Sequence, residues 1–252
     1  MSLRVATIAR GSQYGIVQLP TATAPLRVGS HAIAYEYEMI VAVIGVNGGI
    51  GRRLLPRLDD AGHEPLGVVR SEDQFDAVRE RGGEPRLGDL EGEFESALDG
   101  ADAVVFTAGA GGSTGWDKTI LVDLWGAERA VNACEEKAID RFVMISSRGA
   151  DNPEHRQGPI KPYIVAKHVA DRTLQRSSLD ETILRPTRLT DEDGTGRVAA
   201  YFGEDPETGE SIPRADVAQV IVECLDNDAT IGHAITLYGG ETPISKALRP
   251  SD

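Results

Sequence analysis

Residues 39–51 read MIVAVIGVNGGIG. A short apolar run passes without a linker into a segment with four glycines, Gly45, Gly48, Gly49 and Gly51. The run predicts a buried strand over 39–44, and the glycines predict a turn that opens a helix. In that setting the turn suits the pyrophosphate of a dinucleotide. Gly45 permits the tight turn, Gly48 lets backbone approach the phosphates, and Gly51 lets helix and strand pack closely. Asn47, Gly49 and Ile50 complete the loop, and the helix N-terminus offers unpaired amides to the anion. The spacing is GxxGxxG rather than GxGxxG.

Downstream of this unit, short apolar runs alternate with stretches of helical period, which predicts a parallel sheet covered on both faces. Strands are expected at 39–44, 66–69, 85–87, 102–106, 141–145, 181–185 and 234–238. Helices are expected near 50–61, 72–81, 92–98, 118–137, 161–177 and 214–226. The expected architecture is a three-layer, doubly wound α/β domain of Rossmann type with strand order 3-2-1-4-5-6 and a seventh strand at the edge. Residues 187–212 break the rhythm with Asp, Gly and Pro clusters, and are expected to be loop with one short strand near 197–202, forming a substrate-side cap. Residues 1–38 differ in kind: positions 1–35 contain no Asp or Glu and no sustained period. They are expected to be an extension upstream of a start at Met39, with a targeting peptide or an added edge strand as alternatives.

The chain has 252 residues, 40 acidic and 26 basic, for a formal charge of -14. An acidic surface repels phosphate backbones, so nucleic acid is not an expected partner. No apolar run approaches the roughly 20 residues of a membrane-spanning helix, so no membrane association is expected. The two cysteines, Cys134 and Cys224, fall in predicted helices, which suits reduced thiols and a cytoplasmic protein. Five scattered histidines show no ligand spacing, and no metal centre is expected.

Further residues extend the site. Arg70 ends the second strand, where a guanidinium suits a 2′-phosphate and a carboxylate would suit free ribose hydroxyls. The cofactor expected is therefore NADP, with NAD as the alternative, and Arg52 and Arg53 add positive charge. Asp89, followed by Leu90, either approaches the adenine or caps the next helix. Ala108 and Gly109 lie in a second glycine-rich turn, TAGAGG at 107–112. Ser147 ends the fifth strand, and Tyr163 and Lys167, four apart, share a helix face. A tyrosine, with a pKa of about 10 when free, exchanges protons more readily at neutral pH beside an ammonium.

Taken in order, GVNGGIG, TAGAGG, RFVMISS, YIVAK and LRP resemble the atypical short-chain dehydrogenase/reductase superfamily, and within it the small NAD(P)H-binding, NAD-dependent epimerase/dehydratase-like group. The resemblance runs from Met39 to about Leu248. It implies that Ser147, Tyr163 and Lys167 form a catalytic triad, with Tyr163 the acid/base and Lys167 also holding the nicotinamide ribose. It further implies that Pro186, in the LRP segment, passes the nicotinamide. Thr187 stands where relatives often have glycine, and the short 187–212 region leaves little room for a nucleotide-sugar. The function expected is hydride transfer between NADP(H) and a small carbonyl or alcohol. The alternatives are an NmrA-like NADP(H) sensor without turnover, or an epimerase or dehydratase.

Overall fold

The computed structural model describes residues 4–10, 13–19, 38–111, 114–207 and 209–250. Two N-terminal strands, β1 (Arg4–Arg10) and β2 (Gln13–Leu19), pair antiparallel as a hairpin. They form a sheet of their own rather than an added edge of the main one. Strand pairing here comes without the apolar alternation that would have announced it. Of the rest of the N-terminal extension, only Glu38 lies within the described residues.

The strands that follow are β3 (Ile40–Ile44), β4 (Glu64–Val69), β5 (Glu84–Leu87), β6 (Ala103–Phe106), β7 (Arg141–Ile145) and β8 (Asp180–Pro186). After them come β9 (Leu189–Thr190), β10 (Arg197–Tyr201), β11 (Ile212–Pro213), β12 (His233–Gly239) and β13 (Thr242–Pro243). Nine of these form one sheet in the order β13-β10-β12-β8-β7-β6-β3-β4-β5. The pairs from β5 across to β12 are parallel, which reproduces the doubly wound order with its seventh strand. Beyond that strand, β10 and then β13 add antiparallel. The two-residue strands β9 and β11 pair parallel inside the cap. The cap thus contains the short strand expected near 197–202, which is β10 paired on β12, and is more ordered than expected only in the further pairing of β9 with β11.

Burial explains why the central strands are continuous apolar runs. Side chains alternate across the pleat, so Val41 and Val43 enter one core while Ala42 and Ile44 enter the other. The same split separates Val105 from Val104 and Phe106, and Val143 from Phe142 and Met144. One face is covered by α1 (Gly51–Ala61) and α6 (Arg214–Leu225), which pack on each other. The other is covered by α4 (Ala127–Lys137) and α5 (Lys161–Leu174), and two short helices, α2 (Phe75–Arg79) and α3 (Trp116–Lys118), come between α1 and α4 in the chain.

Helix formation departs from expectation in two places. The 92–98 segment condenses to a single 3-10 turn, Glu95–Leu98, held by the buried Phe94 and Leu98. The helix expected over 118–137 is built in three parts. A short α-helical turn, Trp116–Lys118, leads into π-helical turns over Thr119–Gly126 and then into α4. π-Helical turns are uncommon and concentrate at functional sites. These carry the buried Thr119 and Asp123 onto a cavity wall. Among the described residues no helix is long and apolar enough to cross a membrane.

Candidate active site

Two cavities flank the glycine turn at the carboxyl end of the sheet, where ligands bind in open α/β folds. Their shared wall includes Gly48, Thr107, Ala108 and Gly109. Gly45 has φ of +92°, and a Cβ there would lie 2.5 Å from the Ala108 backbone nitrogen. At Gly51 a Cβ would meet the Gly45 carbonyl oxygen at 2.4 Å, so Gly51 is the packing glycine and does not reach either cavity. Gly48 is exposed at the junction of the cavities. The turn is fastened from β6: the Thr107 hydroxyl donates to the carbonyls of Ile44 (3.1 Å) and Gly45 (3.2 Å). Ile50, at the N-cap of α1, provides no side-chain cap, and while the Arg52 and Arg53 amides bond back to the Gly48 and Ile50 carbonyls, the immediately preceding amides of the turn are left for an anion. A bare glycine cradle, an uncapped helix start and continuous cavities fit a bound dinucleotide.

The first cavity, of about 410 Å³, has the residues expected around an adenosine. Arg70 stands exposed on its rim, its backbone nitrogen bonded to Gln74 Oε1 at 3.1 Å. Leu90 and Asp89 line it as well. Asp89 does not cap the following helical turn; its Oδ1 accepts from the Glu91 nitrogen at 3.0 Å and fixes the local bend. Across the cavity Lys118 is paired with Glu91 at 2.7 Å. Asn47 accepts a hydrogen bond from Arg81 at 3.2 Å, which brings a second guanidinium to this end of the turn. Arg52 and Arg53 go elsewhere, contrary to the sequence reading. Arg52 donates to the Gly48 and Asn47 carbonyls, Arg53 donates to the Gly49 carbonyl at 2.7 Å, and neither lines the first cavity.

The second cavity, of about 570 Å³, brings Tyr163 and Lys167 together with Ser146, Asp123, Trp116 and Arg214. Lys167 and Asp123 are 3% and 2% exposed and form an ion pair at 3.2 Å. Lys167 Nζ also donates to the Ile145 carbonyl at 3.1 Å and lies 5.9 Å from the centre of the Tyr163 ring. Burial works to lower the Lys167 pKa, but its electrostatic interactions with Tyr163, Asp123 and Asp171 outweigh it and raise the pKa above its ordinary value. The lysine is thereby held as an ammonium. Asp123 Oδ2 accepts from the Ala110 nitrogen at 2.8 Å, so one carboxylate ties the second glycine turn to the lysine.

Besides Gly51, two expected residues are not on the cavity walls. The serine lining the second cavity is Ser146; Ser147, one residue on, is half-buried and does not line it. Ser146 continues the pairing of β7 through its nitrogen, which bonds to the Leu184 carbonyl, and this sets which of the two adjacent serines faces the cavity. The Ser146 hydroxyl has only a loose contact with the buried Asp171 and no bond of full geometry. Pro186 is buried at the end of β8, where its carbonyl accepts from Arg148, and it lines neither cavity.

Thr107, Asp123, Ser146 and Arg214 were not singled out from sequence. Thr107, first residue of the TAGAGG turn, and Ser146, in the RFVMISS segment, fell within motifs the sequence offered. The cap is fastened beside the site by Asp205, which accepts from Arg148 Nε at 2.7 Å and from the Tyr238 hydroxyl. Burial works to raise the Asp205 pKa, but these hydrogen bonds and the Arg148 charge bring it below the ordinary carboxylate value. At the opposite end of the sheet, Glu38, His63 and Asp226 have ligand-type atoms within 4.8 Å of one another, remote from both cavities.

The chain belongs to the family described as NAD(P)H-binding, whose profile matches residues 45–228. It is 45% identical to the uncharacterized sugar epimerase YhfK of Bacillus subtilis, over 84% of this chain and 99% of that protein. It is 38% identical to the UPF0659 protein YMR090W of Saccharomyces cerevisiae, over 84% of this chain and 98% of that protein. Among solved structures, a putative NAD-dependent epimerase/dehydratase from Bacillus halodurans superposes with a TM-score of 0.81 at 45% identity, covering 83% of this chain and 98% of that one. The oxidoreductase ylbE from Lactococcus lactis gives 0.75 at 30% identity, covering 83% and 95%. The protein is thus a Rossmann-type member of an NAD(P)-binding, epimerase- and oxidoreductase-like family.

Proposed function

We propose that the protein is an NADP(H)-dependent oxidoreductase that reduces a small carbonyl compound, or oxidises the corresponding alcohol, in the second cavity. The observation that carries this reading is the presence of Tyr163 and the buried Lys167–Asp123 pair on the wall of a cavity continuous with the glycine turn. NADPH, when bound, supplies a hydride to the carbonyl carbon. Tyr163 donates its phenolic proton to the carbonyl oxygen, so that an alcohol results, and it is reprotonated from solvent. Lys167 stabilises the phenolate that this leaves, and Asp123 fixes the ammonium in place. Ser146 lines the cavity with its backbone and stem, but its hydroxyl is buried toward Asp171, so it shapes the wall beside the substrate and does not take the oxygen-orienting role that the resemblance gives to Ser147.

On the cofactor side, the turn from Gly45 to Ile50 receives the pyrophosphate, with Ala108 and Gly109 behind it. Asp89 and Leu90 border the adenine, and Arg70 faces the 2′-phosphate. The name borne by the Bacillus subtilis relative favours a second reading, epimerisation, which would use the same tyrosine in an oxidation followed by a reduction. The experiment is a screen of aldehydes, ketones, quinones and sugars with NADPH and NADH, read by absorbance of the reduced cofactor and by product stereochemistry. Consumption of reduced cofactor supports the reductase, and inversion without net consumption supports the epimerase. Tight NADPH binding with no turnover of any substrate would point to a sensor instead.

A further inference from the structure

The segment GVNGGIG contains one glycine more than its turn requires, and the structure gives that glycine a separate reason. A Cβ at Gly49 would lie 2.6 Å from Arg214 Cδ and 2.7 Å from Arg214 Nε. Any larger residue at position 49 displaces Arg214, so the turn makes room for this guanidinium at the mouth of the second cavity. Arg214 is the first residue of α6 and reaches back across the glycine turn.

The charges around it do not cancel. Lys167 and Asp123 neutralise each other deeper in the wall. Arg214 and Arg53 both pair with Asp191, at 3.1 Å and 3.2 Å, and that carboxylate is itself 72% exposed. Arg52 lines the same small recess. Two guanidiniums on one solvated carboxylate leave positive charge in excess, and exposed pairs of this kind are weak enough to be exchanged for a better partner. In a chain of net charge -14, an anionic ligand needs such a local reversal of the field. The opposite wall is apolar. Trp116 and Ile160 line the cavity while 51% and 53% exposed, which leaves two large hydrophobic faces without a cover.

We infer that the substrate is an amphipathic anion, a carbonyl compound with a flat apolar or aromatic body and a carboxylate, Arg214 binding the carboxylate and Trp116 and Ile160 the body. This inference rests on the reductase reading above, and it names the substrate class for the same cavity. The guanidinium suits a carboxylate because its two donors can be shared in a bidentate pair. The cofactor pyrophosphate is the other anion within reach of the Gly49 turn, so the test has to separate the two.

The test uses the full chain saturated with NADP⁺, which permits binding of a carbonyl without turnover. Phenylglyoxylate and 2-naphthylglyoxylate, each beside its methyl ester, are titrated by calorimetry. Each acid is expected to bind about tenfold tighter than its ester or better, the size of a charge-assisted hydrogen bond. Arg214→Gln should erase that ratio while leaving NADPH affinity within about twofold, and Arg214→Lys should retain part of it. Trp116→Ala should weaken acid and ester alike. Equal binding of acid and ester, or binding of neither to NADP⁺-loaded protein, overturns the inference and leaves the reductase reading standing. So does an Arg214→Gln variant that loses NADPH affinity at an unchanged acid/ester ratio, because the guanidinium then belongs to the pyrophosphate. Failure of the wild type to bind NADPH at all removes both readings.

Discussion

The two cavities share a glycine turn yet are built on opposite electrostatic plans. Around the first, the charged groups are at the surface: Arg70 is exposed, and the Lys118–Glu91 pair is 43% and 24% exposed. Inside the second, behind Arg214 at the mouth, the charged pair is buried, with Lys167 and Asp123 almost wholly removed from solvent. Exposed charges act through high dielectric and contribute little each, so the first cavity can tune recognition at small cost to the fold. A buried pair is different. Its partners depend on each other, and removing one leaves an uncompensated charge in the interior. Recognition and chemistry are thereby separated along one cleft, and substitutions on the two sides should differ in kind as well as in size.

The largest effect should come from Lys167→Ala. It strands Asp123 in the interior, with an expected loss of about 3–5 kcal/mol of stability, measured by urea unfolding. Turnover should vanish with it. A loss under about 1 kcal/mol would mean that Asp123 finds water or a proton, and the contrast between the cavities would collapse. Next is Tyr163→Phe, expected to lower turnover by roughly 10²–10⁴ while sparing NADPH affinity and stability, since it removes a proton donor and little contact surface. Full turnover in this variant would remove Tyr163 from the chemistry.

How much of this was legible in sequence follows the same division. The parallel sheet was readable because each central strand is buried on both faces and must be apolar throughout, as Val41 to Ile44 are. The glycine turn was readable because Gly45 and Gly51 answer to backbone clashes, which only glycine relieves. Asp123 was not, because an aspartate in a stretch of helical period reads as a solvated charge until the chain is folded and Lys167 arrives from 44 residues away. The choice between Ser146 and Ser147 depends on the parity of β7 at its last turn, and a one-residue difference reverses the face. Of the two antiparallel additions, β10 answers to the short strand expected near 197–202, whereas β13 was hidden for a related reason. A two-residue strand has no period, and its pairing is decided by β10, which lies between it and β12.

A smaller effect belongs to the cap, which joins the two plans because it is clasped from outside onto the strand end that carries the serine. Asp205→Asn keeps the shape but removes the charge received by Arg148 and Tyr238. The expected cost is about 1.5–3 kcal/mol at most, the range for hydrogen bonds to charged groups, and it should be less here because Asp205 borders solvent. The pH dependence has a definite sign. A carboxylate whose folded pKa is depressed contributes stability above its ordinary pKa and loses it as pH falls through the folded value. The wild-type cap should therefore loosen only at acid pH below the ordinary carboxylate range, seen as faster proteolysis within 187–212, whereas Asp205→Asn should be cleaved faster already at neutral pH. Equal cleavage of the two proteins at neutral pH would show that β10 alone holds the cap.

The smallest and most selective change is expected at Arg70. Its guanidinium stands on the rim of the first cavity, and the structure removes the two competitors that adjacency in sequence suggested, since Arg52 and Arg53 turn toward the other side of the glycine turn. Lys118, which lines the same cavity in its pair with Glu91, and Arg81, bonded to Asn47, are the cations left to share a 2′-phosphate with it. Arg70→Asp should weaken NADPH and spare or improve NADH, because a carboxylate repels the phosphate and accepts bonds from free ribose hydroxyls. The expected shift in preference is on the order of 1–3 kcal/mol, nearer the lower end if Arg81 retains part of the phosphate. Since Arg70 is exposed, stability and turnover at saturating cofactor should stay as in the wild type, unlike any change at Lys167. Fluorescence titration of both cofactors at matched salt decides it, because exposed charges are screened and the shift should shrink as salt rises. An unaltered ratio of affinities in Arg70→Asp, with the ratio moving instead in Arg81→Gln, would transfer the 2′-phosphate to Arg81. A wild type that already prefers NADH would remove the 2′-phosphate from the first cavity altogether.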